Sequence, residues 1–501
     1  MLDRRRSRTP ATRLFALGVL LPLACSADVS PFQVPDPQVP TTPVAVAADT
    51  SIQMENRQPG NADYYSTRWA SPKDLMMWAS PYAPHLGDTV DVHIHATKGP
   101  VSVTVYRIGW YGGAGARIIT KLDAIPAGPQ PACTTTEPVV CPWSITARIP
   151  VAASWLSGLY LLRVEDKTTS IAYYPFMVSD PSPAPFIAVI PQFTWQAYND
   201  FNERSLYTYT AGVRGHKVSF ERPYTTSAGA SFVLAHSHSH ELSVAQWMER
   251  MGYNVHYVSD LDLATTQLRP TRALLFVGHD EYWTNQMRAS VEAARDRGTH
   301  LMFFSANNGY RAIHLGPGTA RAGHLISSYN SDVDPEANGT DVSAIFREPP
   351  LNRPENALYG VQFSRTALFA QWPRFAADSV SGPEATAFLK AGGVAIGDTI
   401  PGMLITPVLS GEASLEGDNL FQNGRTPADM QVLLRISLPY NPRSEGTSMT
   451  FHTTFFRAKS GAGVFASGFN EWGRWLSDYS GPQNAAIQGI TKSVLDWMLT
   501  H

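Results

Sequence analysis

Ala273-Leu-Leu-Phe-Val-Gly-His-Asp-Glu-Tyr-Trp283 is the stretch of sequence that decides the fold. Its first five residues are all apolar, which is typical of a strand buried on both faces of a parallel sheet. His279, Asp280 and Glu281 follow immediately after Gly278. Burying three such side chains together is costly unless they serve a purpose. We therefore expect a functional site where this strand ends.

A second strand with a polar end follows closely in the sequence. Helical spacing over Gln286 to Arg297 leads into the apolar run His300-Leu-Met-Phe-Phe304, and Ser305-Ala-Asn-Asn-Gly309 comes next. The strand–helix–strand order predicts two parallel neighbours in one sheet. In open α/β sheets, ligands bind at the carboxyl ends of such strands. Asn307 is therefore expected to lie close to His279 and Glu281.

The same alternation begins at about residue 184, and the sequence from 310 to 500, which belongs to the same predicted domain (184–501), is less regular. Phe186-Ile-Ala-Val-Ile190 reads as a buried strand, Leu242 to Met251 has helical spacing, and Tyr253 to Val258 reads as the next strand. We predict an α/β domain here, with a doubly wound, mostly parallel sheet. Its later part is expected to complete the sheet and cover the site.

Residues 51–180 show a different, all-β pattern. Apolar and polar residues alternate in Thr89 to His95 and in Val101 to Arg107, and turn sequences separate these runs. The pattern predicts an Ig-like antiparallel β-sandwich domain. The aromatics of the glycine-rich run Tyr106 to Arg117 suit either ligand binding or packing between this domain and the next, and packing is the favoured interpretation.

The amino terminus indicates export. Residues 1–27 combine a cluster of arginines with the short apolar run Leu14 to Ala24, as in a signal peptide cleaved after Ala27. Cys25 is alternatively a lipid-bearing cysteine that anchors the protein to a membrane, and both readings stay open. Residues 28–50 are rich in proline and are expected to form an extended linker. The predicted location is extracellular, periplasmic or lipid-anchored to the cell envelope.

Composition and cysteine content exclude several classes of function. A net charge of −3 over 501 residues gives no electrostatic support for nucleic-acid binding. In an exported protein, Cys133 and Cys141 favour a structural disulfide over a metal pair. Neither cysteine lies in the α/β region, so a thiol nucleophile of the amidotransferase type is excluded there. The sequence also has no Gly-x-Ser-x-Gly elbow, P-loop or dinucleotide-binding fingerprint.

Three alternating histidines, His236, His238 and His240, could bind a metal if they lay on a strand. Their spacing differs from that of common zinc sites. The favoured interpretation is a polar loop that enters a helix, with Glu241 near the positive end of the helix dipole.

Several motifs resemble the large (beta) subunit of N,N-dimethylformamidase and its exported relatives. The resemblance covers about residues 51 to 500 and is most specific at Gly278-His-Asp-Glu-Tyr-Trp283. Its other main runs are Thr194-Trp-Gln-Ala-Tyr-Asn199, Ser205-Leu-Tyr207, Lys217-Val-Ser-Phe-Glu-Arg-Pro-Tyr224, Ser460-Gly-Ala-Gly-Val-Phe465, Glu55-Asn-Arg-Gln-Pro-Gly60 and Tyr106-Arg-Ile-Gly-Trp-Tyr-Gly-Gly113. The resemblance implies a glutamine-amidotransferase-like α/β domain that hydrolyses a small amide at a mononuclear iron.

The metal ligands implied by the resemblance are Tyr198, Tyr207 and Glu281. Tyr209 competes with Tyr207, since both phenols occur in Leu-Tyr-Thr-Tyr. Two tyrosinates and a carboxylate are hard anionic ligands that suit Fe(III), with zinc as the lesser alternative.

The catalytic residues implied by the resemblance are His279, Asn307 and one acidic residue. His279 would orient the site or stabilise an oxyanion, and Asn307 would donate a hydrogen bond. Glu412 and Glu416 compete for the role of general base, because the local sequence departs from the family pattern.

Three functions remain in competition. The first is an exported, iron-dependent hydrolase of a small non-peptide amide. Related large subunits associate, and whether this chain forms a homo-oligomer stays open. The second is a non-catalytic cell-surface or carbohydrate-binding protein on a relic α/β scaffold. The third is a hydrolase of another bond that uses the three alternating histidines.

Overall fold

A computed structural model describes residues 51–501 apart from 67, 208–213, 226–239, 267, 319–323, 330–332, 370–374, 378–381, 401–412, 439–448 and 477–484. The expected signal segment, Cys25 and the 28–50 linker lie outside the described residues. So do Tyr209, His236, His238 and Glu412. No described helix has the length and apolar character needed to cross a membrane.

The first part of the described chain consists of antiparallel sheets. Helix α1 spans Ser51–Glu55, and the strands are β1 Leu75–Ser80, β2 Thr89–Ala96, β3 Val101–Ile108, β4 Ala116–Ile125, β5 Ala147–Pro150, β6 Gly158–Asp166 and β7 Ile171–Val178. Within the described residues, β1-β2-β5 form one sheet and β4-β3-β6-β7 form another. All their pairings are antiparallel, as the alternating pattern predicts.

After residue 185, helices are interspersed among the strands. The strands are β8 Phe186–Ile190, β9 Lys217–Ser219, β10 Val255–Ser259, β11 Ala273–Phe276, β12 Tyr282–Thr284, β13 His300–Phe303, β14 Arg311–Leu315, β15 Leu325–Ser327, β16 Gln362–Phe369, β17 Phe375–Ala376, β18 Thr399–Ile400, β19 Ala413–Asn419, β20 Gln431–Leu438, β21 Met449–Arg457 and β22 Gly463–Ala466. The helices are α2 Gln192–Tyr198, α3 His240–Arg250, α4 Asp260–Thr265, α5 Asn285–Asp296, α6 Asn356–Tyr359, α7 Pro383–Ala391 and α8 Ala485–Thr500.

The largest sheet among the described residues is mixed. Its strand order is β10-β8-β11-β13-β22-β21-β20-β17-β18. Pairing is parallel from β10 to β22 and antiparallel from β22 to β18. The strands predicted from the sequence lie in the parallel half. The sheet as a whole is not mostly parallel, because its other half is antiparallel. The protein is therefore a mixed α/β protein with several sheets.

Burial explains why the central strands are apolar throughout. Every residue of β8, β11, β13 and β22 is buried. Phe276 and Phe303 stack across adjacent strands with their ring centroids 4.5 Å apart. An aromatic pair of this kind contributes about 0.5–1.5 kcal/mol beyond the area it buries.

A smaller sheet lies at the site. Its strand order in the described part of the chain is β12-β14-β15-β9. β12 pairs in parallel with β14, which begins at Arg311. β16 and β19 form a separate antiparallel pair, and β19 carries Glu416.

Two short helices follow strands of the parallel half directly. The segment after β8 is helix α2. Asp260 and Asp262, which follow β10, lie in the first turn of α4, where Ser259 and Asp262 make a capping box. Such a box satisfies backbone N–H groups that the first turn leaves without partners.

Helix α3 contacts the antiparallel strands through the Tyr106 to Arg117 run. Arg107 forms a buried ion pair with Glu249, in which Nη2 lies 2.7 Å from Oε1 and both side chains are 1% exposed. Gln246 donates a hydrogen bond to the Gly115 carbonyl at 3.0 Å. The glycine-rich run thus packs against the α/β region.

Candidate functional site

Helix α2 carries Tyr198 to the carboxyl end of the parallel strands. The helix follows β8 directly, and all its residues before Tyr198 are buried. The backbone N–H of Tyr282 donates a hydrogen bond to Thr194 Oγ1 at 3.2 Å, which ties the helix to β12. Tyr198 is the last residue of the helix, so its phenol lies beside the residues that follow β11.

The segment between β11 and β12 carries His279 and Glu281. The Glu281 carbonyl accepts hydrogen bonds from the backbone N–H groups of Tyr310 and Arg311, each at 3.0 Å. A Cβ atom at Gly278 would lie 2.2 Å from Glu241 Oε1, so only glycine fits there without displacing that side chain. The close approach of backbone and carboxyl group explains the glycine before His279.

Three oxygen-bearing side chains converge at this point. The Tyr198 hydroxyl donates a hydrogen bond to Glu281 Oε2 at 2.7 Å. The Tyr207 hydroxyl lies 3.3 Å from Oε1 and 3.4 Å from Oε2 of the same carboxyl group. The rings of Tyr198 and Tyr207 stack with their centroids 4.5 Å apart. We call Tyr198, Tyr207 and Glu281 the phenol–carboxylate cluster.

His279, Glu416 and Asn307 lie beside this cluster. His279 Nε2 is 3.3 Å from Glu416 Oε2 and 3.6 Å from Glu281 Oε2. The Asn307 side-chain amide donates a hydrogen bond to Glu416 Oε2 at 3.4 Å. His279 Nδ1 lies 3.2 Å from the Ala306 carbonyl, which fixes the ring between the two acidic residues.

Burial and charge shift the pKa values of the site. Burial, followed by the charge of Glu281, raises the pKa of both Tyr198 and Tyr207 above the usual phenol value. Burial alone would lower the pKa of His279, but the carboxylates of Glu416 and Glu281 raise it to about 9. Burial also raises the pKa of Glu416.

The cluster has a buried side and a partly exposed side. Glu281 is fully buried and the His279 side chain is 4% exposed. Glu416 and Arg311 are 18% and 21% exposed, respectively. A small molecule could therefore reach the cluster from the side of Tyr207, Glu416 and Arg311.

The donor set suits a hard cation. Oxygen ligands about 2 Å from one ion lie about 3 Å from each other, and the phenol and carboxylate oxygens of the cluster are 2.7–3.4 Å apart. A trivalent cation would reverse the raised phenol pKa values by stabilising the phenolates. Among the described residues, no group of three or more His, Cys, Asp or Glu side chains could hold a metal. The phenol–carboxylate cluster is of a different kind, because two of its three oxygen-bearing side chains are tyrosines.

The structure thus brings together six of the residues named from the sequence: Tyr198, Tyr207, His279, Glu281, Asn307 and Glu416. Their competitors for the same roles, Glu412 and Tyr209, lie outside the described residues. His240 begins α3, and its Nε2 is 3.9 Å from Glu471 Oε1. Cys133 and Cys141 form a disulfide in the antiparallel region.

Sequence reasoning missed several neighbours of the cluster. Tyr282 packs edge-on against Tyr198 and Tyr207 at ring-centroid distances of 6.2 and 6.4 Å. Asp418 accepts a hydrogen bond from the Asn307 backbone N–H at 2.9 Å. Arg311 Nε lies 3.5 Å from Glu281 Oε1. Arg311 could have been found from the sequence, because it is a charged residue that comes two positions after the polar segment 305–309.

The fold and the site define a mixed α/β protein with a buried phenol–carboxylate cluster at the carboxyl ends of its parallel strands. The chain belongs to the family "N,N-dimethylformamidase beta subunit-like, C-terminal", whose model matches residues 102–485. The match begins within β3, so it includes most of the antiparallel strands as well as the site.

Comparison with curated proteins finds no match. One similar solved structure is a cycloisomaltooligosaccharide glucanotransferase from Paenibacillus sp. in complex with cycloisomaltoheptaose. It is 10% identical over 51% of this chain, with a TM-score of 0.15. The chain spans only 34% of that protein, and a likeness this weak carries no argument about fold or function.

Proposed function

We propose that this protein is an exported hydrolase that cleaves the C–N bond of a small, non-peptide amide with a mononuclear Fe(III). Membership of a family named for an N,N-dimethylformamidase subunit supports the reaction class. The observation that carries the proposal is the convergence of two phenols, Tyr198 and Tyr207, on the buried carboxyl group of Glu281.

Tyr198, Tyr207 and Glu281 would hold the ion. Two phenolates and a carboxylate supply three negative charges, which balance Fe(III) in a buried site. Iron bound in this way supplies the Lewis acidity that polarises an amide carbonyl and activates water. The partly exposed side of the cluster leaves room for the amide and for water.

Glu416 would act as the general base. Its raised pKa places it closer to neutral pH than an exposed glutamate, which favours proton transfer in both directions. The carboxylate would accept a proton from the attacking water and return it to the departing amine, so that amide and water yield an acid and an amine. His279 and Asn307 contact Glu416 Oε2 and would hold it in place.

The decisive experiment compares two glutamine variants with the wild type. Iron content, visible absorption from tyrosinate-to-iron charge transfer and hydrolysis of formamides are measured on protein produced with ample iron. Glu281→Gln should lose iron, colour and activity. Glu416→Gln should keep iron and colour but lose about a hundredfold or more in kcat, the usual contribution of a general base.

A conservative variant outside the cluster controls for general damage. Tyr329→Phe removes a phenol that bonds to Glu336 rather than to the cluster, and it should keep both iron and activity. A wild-type protein that takes up no iron refutes the metal proposal. Iron binding without hydrolysis of any small amide would favour a non-catalytic descendant of the family.

We further propose export, with either signal cleavage after Ala27 or lipid attachment at Cys25. The mass of the mature amino terminus distinguishes the two outcomes, and Cys25→Ser abolishes only the second. We also propose that the α/β region is doubly wound and glutamine-amidotransferase-like and that the antiparallel region is an Ig-like sandwich.

A homo-oligomer is a further part of the proposal, and sedimentation of the purified protein tests it.

A further inference from the structure

Two partly exposed arginine side chains lie beside the phenol–carboxylate cluster. Arg311 begins β14 and pairs in register with Tyr282 of β12. Its Nε is 3.5 Å from Glu281 Oε1. Arg214 lies just before β9, and its charge interacts with those of Arg311, Tyr282 and Tyr207. Arg311 likewise interacts electrostatically with Tyr282 and Tyr207, so both cations lie within electrostatic range of the same phenols.

The small sheet explains how distant parts of the chain bring these arginines together. The parallel pairing of β12 with β14 places the starts of both strands at one edge. β15 runs antiparallel to β14 and β9, so the end of β15 and the start of β9 lie at this edge too. Ser328, just after β15, accepts a hydrogen bond from Arg214 Nη2 at 3.0 Å.

The two guanidinium groups have buried hydrogen-bond donors that nothing in the described part of the chain satisfies. The Nε atoms of both Arg214 and Arg311 are buried without a hydrogen-bond partner there. Leaving a buried donor unsatisfied costs about 1–3 kcal/mol. Burial lowers the pKa of Arg214, and the nearby charge of Arg311 lowers it further.

Charge balance points to what would relieve this cost. Fe(III) would be neutralised by two phenolates and Glu281, so the carboxylate nearest to Arg311 would already be engaged. Two guanidinium groups would then remain without a counter-charge beside the reacting amide. A carboxylate fits such a pair, because arginine donates parallel hydrogen bonds to both of its oxygens.

We propose, on the basis of the function proposed above, that the substrate is a small amide that carries a free carboxylate, and that Arg214 and Arg311 bind this carboxylate. N-acylated amino acids with a short acyl group have this chemistry. The arginines would select the substrate and orient its amide towards the phenol–carboxylate cluster.

The test uses N-formylglycine and its methyl ester, which differ mainly in charge. The acid should be hydrolysed with a kcat/KM at least about tenfold above that of the ester, the selectivity that one charge-assisted contact supplies. Arg214→Gln should remove this preference by raising the KM for the acid about tenfold, with the ester changed less than about twofold. Arg214→Lys keeps the charge and should restore part of the preference.

A surface variant and a binding measurement complete the design. Arg148 is exposed and distant in the sequence from the site, so Arg148→Gln changes the net charge equally and should leave both substrates unaffected. Calorimetry of N-formylglycine with the iron-loaded Glu416→Gln variant, in which Glu281 remains engaged and turnover is slow, reports carboxylate binding independently of turnover. If Arg214→Gln does not fold, inhibition of ester hydrolysis by acetate is measured in the wild type instead. We expect the inhibition to be competitive.

The outcomes separate this inference from the proposed function. If acid and ester are hydrolysed equally and Arg214→Gln affects both equally, the carboxylate site is overturned, whereas the proposed amidase function stands. If N-formylglycine binds in a way that depends on Arg214 but iron-loaded protein does not hydrolyse it, the carboxylate site is supported and the proposed amidase function is overturned. Absence of both binding and preference overturns the carboxylate site.

Discussion

Removing Arg107 should destabilise the protein strongly, because its partner Glu249 would remain buried and charged. Arg107 donates hydrogen bonds to both Glu249 oxygens, at 2.7 and 3.1 Å, and to the Ser157 carbonyl at 3.2 Å. Both charged side chains are 1% exposed. Breaking a buried pair by removing one partner costs about 3–5 kcal/mol. We expect a loss of this size for Arg107→Met.

A double-mutant cycle tests the reasoning. Denaturation midpoints in urea are compared for Arg107→Met, Glu249→Leu and the double variant. The double variant should be less destabilised than the sum of the single ones, because it leaves no unpaired charge. The exposed pair Arg148–Asp91 is the control, where each removal should cost at most about 1 kcal/mol. Additive losses at Arg107 and Glu249 would refute the account.

Three further predictions concern other parts of the chain. Burial raises the pKa of Glu241 from 4.5 to about 7. The neutral carboxyl group is therefore the form that the fold favours, and the stability it contributes at low pH is lost as the pH rises through 7. Glu241→Gln should therefore gain up to about 3 kcal/mol relative to wild type between pH 5 and pH 8.5, measured by thermal unfolding at several pH values, and an unchanged difference would contradict this. The double variant Cys133→Ser/Cys141→Ser removes a disulfide between residues eight apart in the sequence. Its free energy of unfolding, measured by chemical denaturation, should be about 2.5 kcal/mol lower than that of the oxidised wild type, and treating the wild type with reductant should cause the same loss. Gly278→Ala places a methyl group against Glu241 and should destabilise the protein by about 1–3 kcal/mol, with Gly128→Ala as a control, since a Cβ atom at Gly128 meets no neighbour.

The parallel strands were predictable because burial leaves a clear mark on sequence. The predicted strand Phe186 to Ile190 matches β8 at both ends, and the predicted helix Gln286 to Arg297 is displaced by one residue from α5. The antiparallel half of the large sheet was not predicted. Two of its strands, β17 and β18, have only two residues each, and β17 pairs with β20, which is distant in the sequence. No local pattern reports such neighbours.

The site was predictable only where its residues adjoin a strand. His279 and Glu281 follow β11 directly, so the sheet argument alone singles them out. Tyr198 needed the family resemblance, because a helix that turns a tyrosine back towards a strand end has no distinctive sequence pattern. Arg214 was missed for a related reason: its position depends on three successive strand pairings, and single-sequence reasoning establishes none of them.

Helix α3 has a consequence for how this protein can be divided or recombined. One end of the helix carries Glu241 next to the segment of His279, and the other carries Glu249 in contact with Arg107. A shortened gene product that starts at residue 184 would lack the guanidinium group that Glu249 needs. Chimeras that exchange the antiparallel region between relatives should fold only when residues 107 and 249 are transferred as a matched set.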